Sequence, residues 1–178
     1  DAFLPGNEEV FRSLAWNAYR KGGALDEMQP DHKAGKVVSG EYVSPYVVRP
    51  VGKMPEAGWP LVIAMHGGGK APKQVNDQQW GIMQRYYKDH PGDGGYLYLA
   101  LRAPTDAWNG FYTGYVYPLV ARLIRQMLVC EEVNPDKVFL IGYSHGGYGA
   151  FAIGPKMADR FAAIHSSAAA PTDGQSSP

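Results

Sequence analysis

One serine of this sequence stands between two glycines, in Gly142-Tyr-Ser144-His-Gly146, directly after the apolar run at residues 138–141. A serine hydroxyl is a weak nucleophile until the backbone lifts it clear of its neighbours and a base takes its proton. Gly-x-Ser-x-Gly does the lifting where a strand ends at the serine and a helix begins there. Such a sharp turn forces strained backbone angles. A glycine two residues to either side removes the side chains that would collide with the adjoining strand and helix. The helix start then aims N–H groups and a partial positive charge at any negative charge that develops. The same five residues in an ordinary glycine-rich turn would do no chemistry. The strand before Ser144 and the helix after it favour the nucleophile, and Ser144 is the candidate catalytic residue.

His66-Gly67-Gly68-Gly69 follows an earlier apolar run, residues 61–65. Ligands of open α/β sheets bind at the carboxyl ends of the strands, so this loop belongs beside Ser144. A tetrahedral oxyanion needs two donors. One is the N–H of the residue after the nucleophile, here His145; the other comes from the loop of an earlier strand, here Gly67 or Gly68. Glycine lets that backbone approach the substrate oxygen closely. The side chain of His66 reads as a pin for the loop, not as an acid or base. The competing reading of the motif is a plain strand-to-helix connection.

At these two motifs the chain resembles a known superfamily. "LVIAMHGGGK" followed by "DKVFLIGYSHGGYGAFAIG" is similar to the α/β-hydrolase fold across about residues 36–170. Within it, the likeness is to secreted-type esterases of the polyhydroxybutyrate-depolymerase and feruloyl-esterase group. The resemblance implies a Ser-His-Asp/Glu hydrolase of esters, with Ser144 as nucleophile, Gly68 and His145 as oxyanion donors, and an extracellular or periplasmic setting. "GYSHGGYG" also resembles the prolyl-oligopeptidase type of serine peptidase, which shares the fold.

The base and the acid are harder to place. The superfamily order is Ser, acid, His along the chain. After Ser144 come Asp159 and Asp173, and His145 and His165. His145 sits in the elbow itself. His165 falls inside the last strand, where its side chain would point into a helix layer or along a buried face. Asp173 lies just past that strand and is a weak acid candidate. His32 and His90 precede the serine. The expectation is therefore that a second chain or further segment completes the domain with the catalytic His and acid, split near the small polar loop at residues 174–178. The strand at 161–166 would otherwise stand as an exposed apolar edge.

These motifs need elements to position them. Glu8–Tyr19 carries Val10, Phe11, Leu14, Ala15 and Ala18 at helical spacing. Residues 36–42 and 46–51 read as a hairpin joined near Ser44-Pro45. The runs at 61–65, 96–101, 138–141 and 161–166 read as strands, three of them buried on both faces. Helices alternate with them: one capped by Asn76 or Asp77 with Trp80, Met83 and Tyr87 on one face, and one with Leu119, Val120, Leu123, Ile124, Met127 and Leu128 as a stripe and Arg122, Arg125 and Gln126 facing away. A third runs from His145 to about Ala158. The pattern predicts an α/β class: a mostly parallel sheet, helices on both faces, and an edge hairpin. Residues 1–35 are expected to be an N-terminal helical extension, and 36–178 the N-terminal part of one α/β-hydrolase domain without its C-terminal strands.

The chain has 178 residues, 45% of them hydrophobic, with seventeen basic and seventeen acidic side chains. That is globular composition with no basic block, which gives no support to a nucleic-acid or membrane partner. Cys130 is the only cysteine, so no disulfide forms within the chain, and it reads as a small helix-end residue. No Cys/His cluster has metal-ligand spacing and no phosphate-binding glycine motif precedes a helix, so no metal and no cofactor are expected. Trp108 and Asn109, with Phe111 and Tyr112, follow a strand that should end beside Ser144. They are candidate substrate-binding residues, forming a wall for an aromatic or sugar-like group, or else packing beneath a long loop. The leading expectation is an esterase acting on a small-molecule or polymer-linked ester. The alternatives are a serine peptidase and a catalytically dead binding module.

Overall fold

The computed structural model of the chain describes residues 7–171. A six-stranded sheet in the order β1-β2-β4-β3-β5-β6 forms its centre. The strands are β1 (Lys36–Ser39), β2 (Tyr42–Val51), β3 (Trp59–Met65), β4 (Tyr96–Leu101), β5 (Val133–Tyr143) and β6 (Ala163–Ser167). β3 to β6 run parallel, while β1 and β2 form an antiparallel edge hairpin whose β2 pairs antiparallel with β4. The chain is thus α/β with a mostly parallel sheet, as the alternation of elements predicts.

Side chains of the central strands alternate between two apolar layers. Leu61, Ile63, Met65, Leu99 and Leu140 join α4 (Val116–Cys130) and α5 (His145–Lys156) on one face. The intervening Val62, Ala64, Tyr98, Ala100 and Ile141 join α3 (Lys73–Tyr86) on the other. Burial on both faces is why these strands read as unbroken apolar runs. Each fully buried Leu or Ile contributes roughly 1.5–3 kcal/mol of transfer free energy.

Register places the candidate site. Met65 of β3 lies beside Leu101 of β4 and Gly142 of β5, and Gly142 lies beside Ser166 of β6. The residues that follow these four, namely His66, Arg102, Tyr143-Ser144 and Ser167, therefore emerge together at one end of the sheet.

Several elements differ from the sequence expectation. The hairpin turns at Gly40-Glu41, and Ser44-Pro45 lie inside β2. The Ser44 hydroxyl donates to the Arg102 carbonyl, and the Pro45 carbonyl accepts the Arg102 N–H at 2.9 Å, so the proline spends no ladder donor. Helix α3 begins three residues before Asn76, with Pro72 at its N-cap, and Tyr87 follows its last residue. Gln126 is not on the outer face of α4. It is buried and donates to the Lys36 carbonyl at 2.9 Å and to Tyr46 Oη at 2.8 Å. β5 starts earlier than residue 138, across a register shift opposite Trp59 and Leu61, and α5 ends at Lys156. β6 spans Ala163–Ser167 with exposed side chains from Ala163 to His165, so His165 does not point into a buried layer.

Helix α1 (Glu8–Tyr19) forms where the apolar spacing places it, yet Val10, Phe11 and Leu14 are exposed. Gly23, at φ +112°, kinks the chain into α2 (Leu25–Lys33), and Ala24 and Met28 pack with Val129 of α4. His32 fastens α2 to the sheet. Its Nδ1 lies 2.7 Å from Tyr46 Oη and its Nε2 2.7 Å from Glu131 Oε1. The Glu131 carboxylate only accepts, so Nε2 carries the proton toward it, and in the neutral ring Nδ1 accepts from the Tyr46 hydroxyl, which itself accepts from Gln126. Cys130 closes α4 as a free, half-buried thiol.

Candidate active site

Ser144 leaves β5 and starts α5 at φ +52°, ψ −113°, a conformation outside the regions open to most residues. The flanking glycines make it feasible. A Cβ on Gly142 would collide with the Gly146 carbonyl, and a Cβ on Gly146 would collide with the Met65 carbonyl. The first packs β5 against the first turn of α5; the second packs α5 onto the end of β3. Backbone bonds hold the turn: Ser144 N–H donates to the Ser167 carbonyl at 2.8 Å, and Gly146 N–H to the His66 carbonyl at 2.9 Å. Ser144 itself is half-buried.

The His66–Gly69 loop lies directly alongside. A Cβ built on Gly67 would stand 3.5 Å from Ser144 Cβ and 3.2 Å from Tyr143 Cδ1. Gly68 and Gly69 adopt φ +111° and +78°, which favour glycine. His66 is fully buried and pins the loop. Its Nε2 accepts the Ala103 N–H at 3.0 Å, so Nδ1 carries the proton and donates to the Gly67 carbonyl at 2.6 Å. Burial pushes this imidazole down to about 4, against the opposing effect of the Gly67 carbonyl, with the nearby Arg102 charge adding to the fall. It stays neutral at physiological pH.

Ser144, Gly67, Gly68 and the His145 backbone are thus brought together. The His145 N–H sits at the first helical position, where no intrahelical acceptor exists. Its ring turns away from the turn into an aromatic enclosure: Phe111 at 5.0 Å, Trp108 at 5.8 Å, His66 and Tyr112 each at 6.2 Å between centroids. Neither ring nitrogen forms a hydrogen bond. Burial pushes this imidazole too down to about 4, offset in small part by the nearby Trp108 carbonyl. Trp108 stacks on His145 and stays 46% exposed. The exposed Asn109 uses its carbonyl to accept from Tyr112 N–H at 3.1 Å and Thr113 Oγ1 at 3.3 Å.

Among the described residues no histidine ring hydrogen-bonds to Ser144. Both nitrogens of His32 and His66 are engaged elsewhere, and His165 packs its exposed ring 6.1 Å from Tyr87. Asp159 pairs with Arg160, and Asp173 lies outside the described residues. No three His, Cys, Asp or Glu side chains among the described residues form a metal-binding group, and no helix there is long and apolar enough to cross a membrane.

One cluster escaped sequence reasoning. Asn76, 1% exposed, accepts Gly69 N–H at 2.8 Å and donates to the Ala71 carbonyl at 3.0 Å and Asp106 Oδ1 at 2.9 Å. Arg102, 5% exposed, bonds Asp106, Asp77 Oδ1 at 3.0 Å and the Ala103 carbonyl at 3.0 Å. Burial would raise the Asp106 carboxyl, but its bonds to Arg102 and Asn76 outweigh that and hold it below the usual carboxylate range. The available signal was Asn-Asp inside a helix, which reads equally well as a cap.

The sequence matches no protein-family model and no curated protein. Solved structures do match. A thermostable esterase superposes with a TM-score of 0.53 at 22% identity, covering 72% of this chain and 38% of the other. A poly(3-hydroxybutyrate) depolymerase from Bordetella parapertussis gives 0.49 at 19%, covering 71% and 46%. An acetyl xylan esterase from Aspergillus awamori gives 0.42 at 16%, covering 68% and 45%. The chain spans less than half the length of each of these structures. The first of these likenesses is one of fold, and the chain has the α/β-hydrolase fold.

Proposed function

We propose that this chain carries the nucleophile and oxyanion donors of a serine hydrolase acting on carboxylic esters, small or polymer-linked. The observation that carries this is the placing of Ser144 at φ +52° against Gly67, at the end of the sheet where both glycine motifs emerge. Backbone strain of this kind costs about 1–3 kcal/mol and typically persists where function uses it.

In the reaction, a general base takes the Ser144 hydroxyl proton as Oγ attacks the ester carbonyl carbon. The carbonyl oxygen becomes an oxyanion, held by the N–H of His145 and the N–H of Gly67 or Gly68. The α5 N-terminus adds its partial positive charge. Collapse expels the alcohol, which takes the proton back from the base and leaves an acyl group on Oγ. Water, deprotonated by the same base, then releases the acid. The base and its orienting acid come, in this proposal, from polypeptide outside residues 7–171. Trp108 and Asn109 line the approach, with the indole as a platform for a planar acyl or sugar group.

A fluorophosphonate probe tests the proposal. Intact mass should show one adduct on this chain, lost in Ser144→Ala. Matched ester and amide substrates should show turnover of the ester. An unlabelled wild type points to a binding module instead, and preferred amide turnover to a peptidase.

A further inference from the structure

We propose that Asn76 is a positioning residue for the oxyanion loop, holding Gly69 so that the Gly67 and Gly68 N–H groups face the substrate oxygen; this rests on the ester-hydrolase reading of Ser144. The loop is fixed at both ends, and between them only the Gly67 carbonyl is held, by His66 Nδ1. His66 is held by Ala103 N–H through its ring and by Gly146 N–H through its carbonyl. Gly69 is held by Asn76 Oδ1 at 2.8 Å. Among the described residues the N–H groups of Gly67 and Gly68 have no acceptor, so they remain available to a ligand.

Asn76 suits this task. It lies in the first turn of α3, where its side chain makes no cap and where asparagine is a poor helix former. Its amide orientation is fixed by its neighbours: an N–H faces Oδ1, while a carbonyl and a carboxylate face Nδ2. A flipped amide would lose all three bonds. Gly68 carries no Cβ because one would collide with Asn76 Oδ1, so loop and side chain are fitted to each other. The support continues outward without a gap. Asp106 holds Asn76, Arg102 holds Asp106 and the Ala103 carbonyl, and Ala103 N–H holds His66. Both ends of the loop therefore hang on one connected network.

The test is steady-state hydrolysis of p-nitrophenyl acetate by the full protein, with Ser144→Ala as the zero. Asn76→Ala should lower kcat about 10²-fold with KM changed less than about threefold, since donor placement matters chiefly in the transition state. Asn76→Asp keeps the acceptor for Gly69 but sets a carboxylate against Asp106. Such a pair holds one proton with a raised pKa, and the protonated form donates to Asp106 as the amide does. Its kcat relative to wild type should therefore rise as pH falls. A purely structural role would lower stability without that pH profile. An Asn76→Ala kcat equal to wild type, or an Asn76→Asp defect that is flat with pH, overturns the proposal. Wild-type turnover that survives Ser144→Ala removes the underlying reading, and the positioning role with it.

Discussion

Gly146 N–H donates to the His66 carbonyl at 2.9 Å, joining the start of α5 to the end of β3. One bond thus sets the distance between the serine turn and the glycine loop. It forms only because Gly146 lacks a Cβ, whose position the Met65 carbonyl already occupies.

Gly146→Ala should therefore damage fold and site together. Overpacking against backbone costs about 1–3 kcal/mol or more, because a carbonyl cannot rotate away as a side chain can. For a chain of this size the melting temperature falls by about 2–4 °C per kcal/mol. Calorimetry should show the drop, and fluorophosphonate labelling should be lost with it. A variant that melts like wild type would mean that α5 slides freely on β3.

Ser144 is a non-glycine residue at φ +52°, ψ −113°. Ser144→Ala removes the hydroxyl but keeps the strain. Ser144→Gly releases the strain, at an entropic cost of about 0.5–1 kcal/mol from the freer unfolded chain. Strain relief of about 1–3 kcal/mol exceeds that cost. The glycine variant should melt above the alanine variant, and neither should label. Equal melting temperatures would show that the turn is not strained.

Much of this arrangement is legible in the residues, because close packing leaves a compositional trace. Strands buried on both faces must be apolar throughout, so β3 and β4 stand out, and a turn without space for Cβ must be glycine at 142 and 146. What escapes is whatever depends on partners distant in sequence. Asn76 reads as a cap until Gly69 and Asp106 are seen to converge on it. Gln126 reads as solvent-facing until Tyr46 and Lys36 arrive from the hairpin. The α1 stripe gives the helix correctly but says nothing of what covers it, and Val10 and Leu14 are exposed.

Trp108 offers a specificity prediction. Its indole stacks on His145 at 5.8 Å, lies 5.6 Å from Tyr148 and is 46% exposed. An aromatic acyl group stacked there gains about 0.5–1.5 kcal/mol. Trp108→Ala should raise KM for an aryl ester about 3- to 10-fold and leave an acetyl ester nearly unchanged. An equal effect on both esters would reassign Trp108 to packing over His145.

Two buried imidazoles link stability to pH on the acid side of neutrality. Burial takes both His66 and His145 from 6.5 in the unfolded chain to about 4. Between those values the unfolded chain binds more protons than the folded one, so stability rises with pH across that window. The stabilisation is fully present above about 6.5 and is lost as pH falls toward 4; below 4 these groups cause no further loss. Each histidine accounts for roughly 3 kcal/mol, since every tenfold loss of proton affinity on folding is worth about 1.36 kcal/mol. The two should be separable. His66 has partners for both nitrogens, whereas His145 has none, so His145→Phe deletes a titrating group without orphaning a donor or acceptor. Its enclosure of Phe111, Trp108 and Tyr112 already suits an apolar ring. Melting temperature followed from about pH 7 to pH 4.5 should fall roughly half as steeply in His145→Phe as in wild type. An unchanged slope would mean that protonated His145 finds water or a carbonyl in the folded state, and that its enclosure opens at low pH.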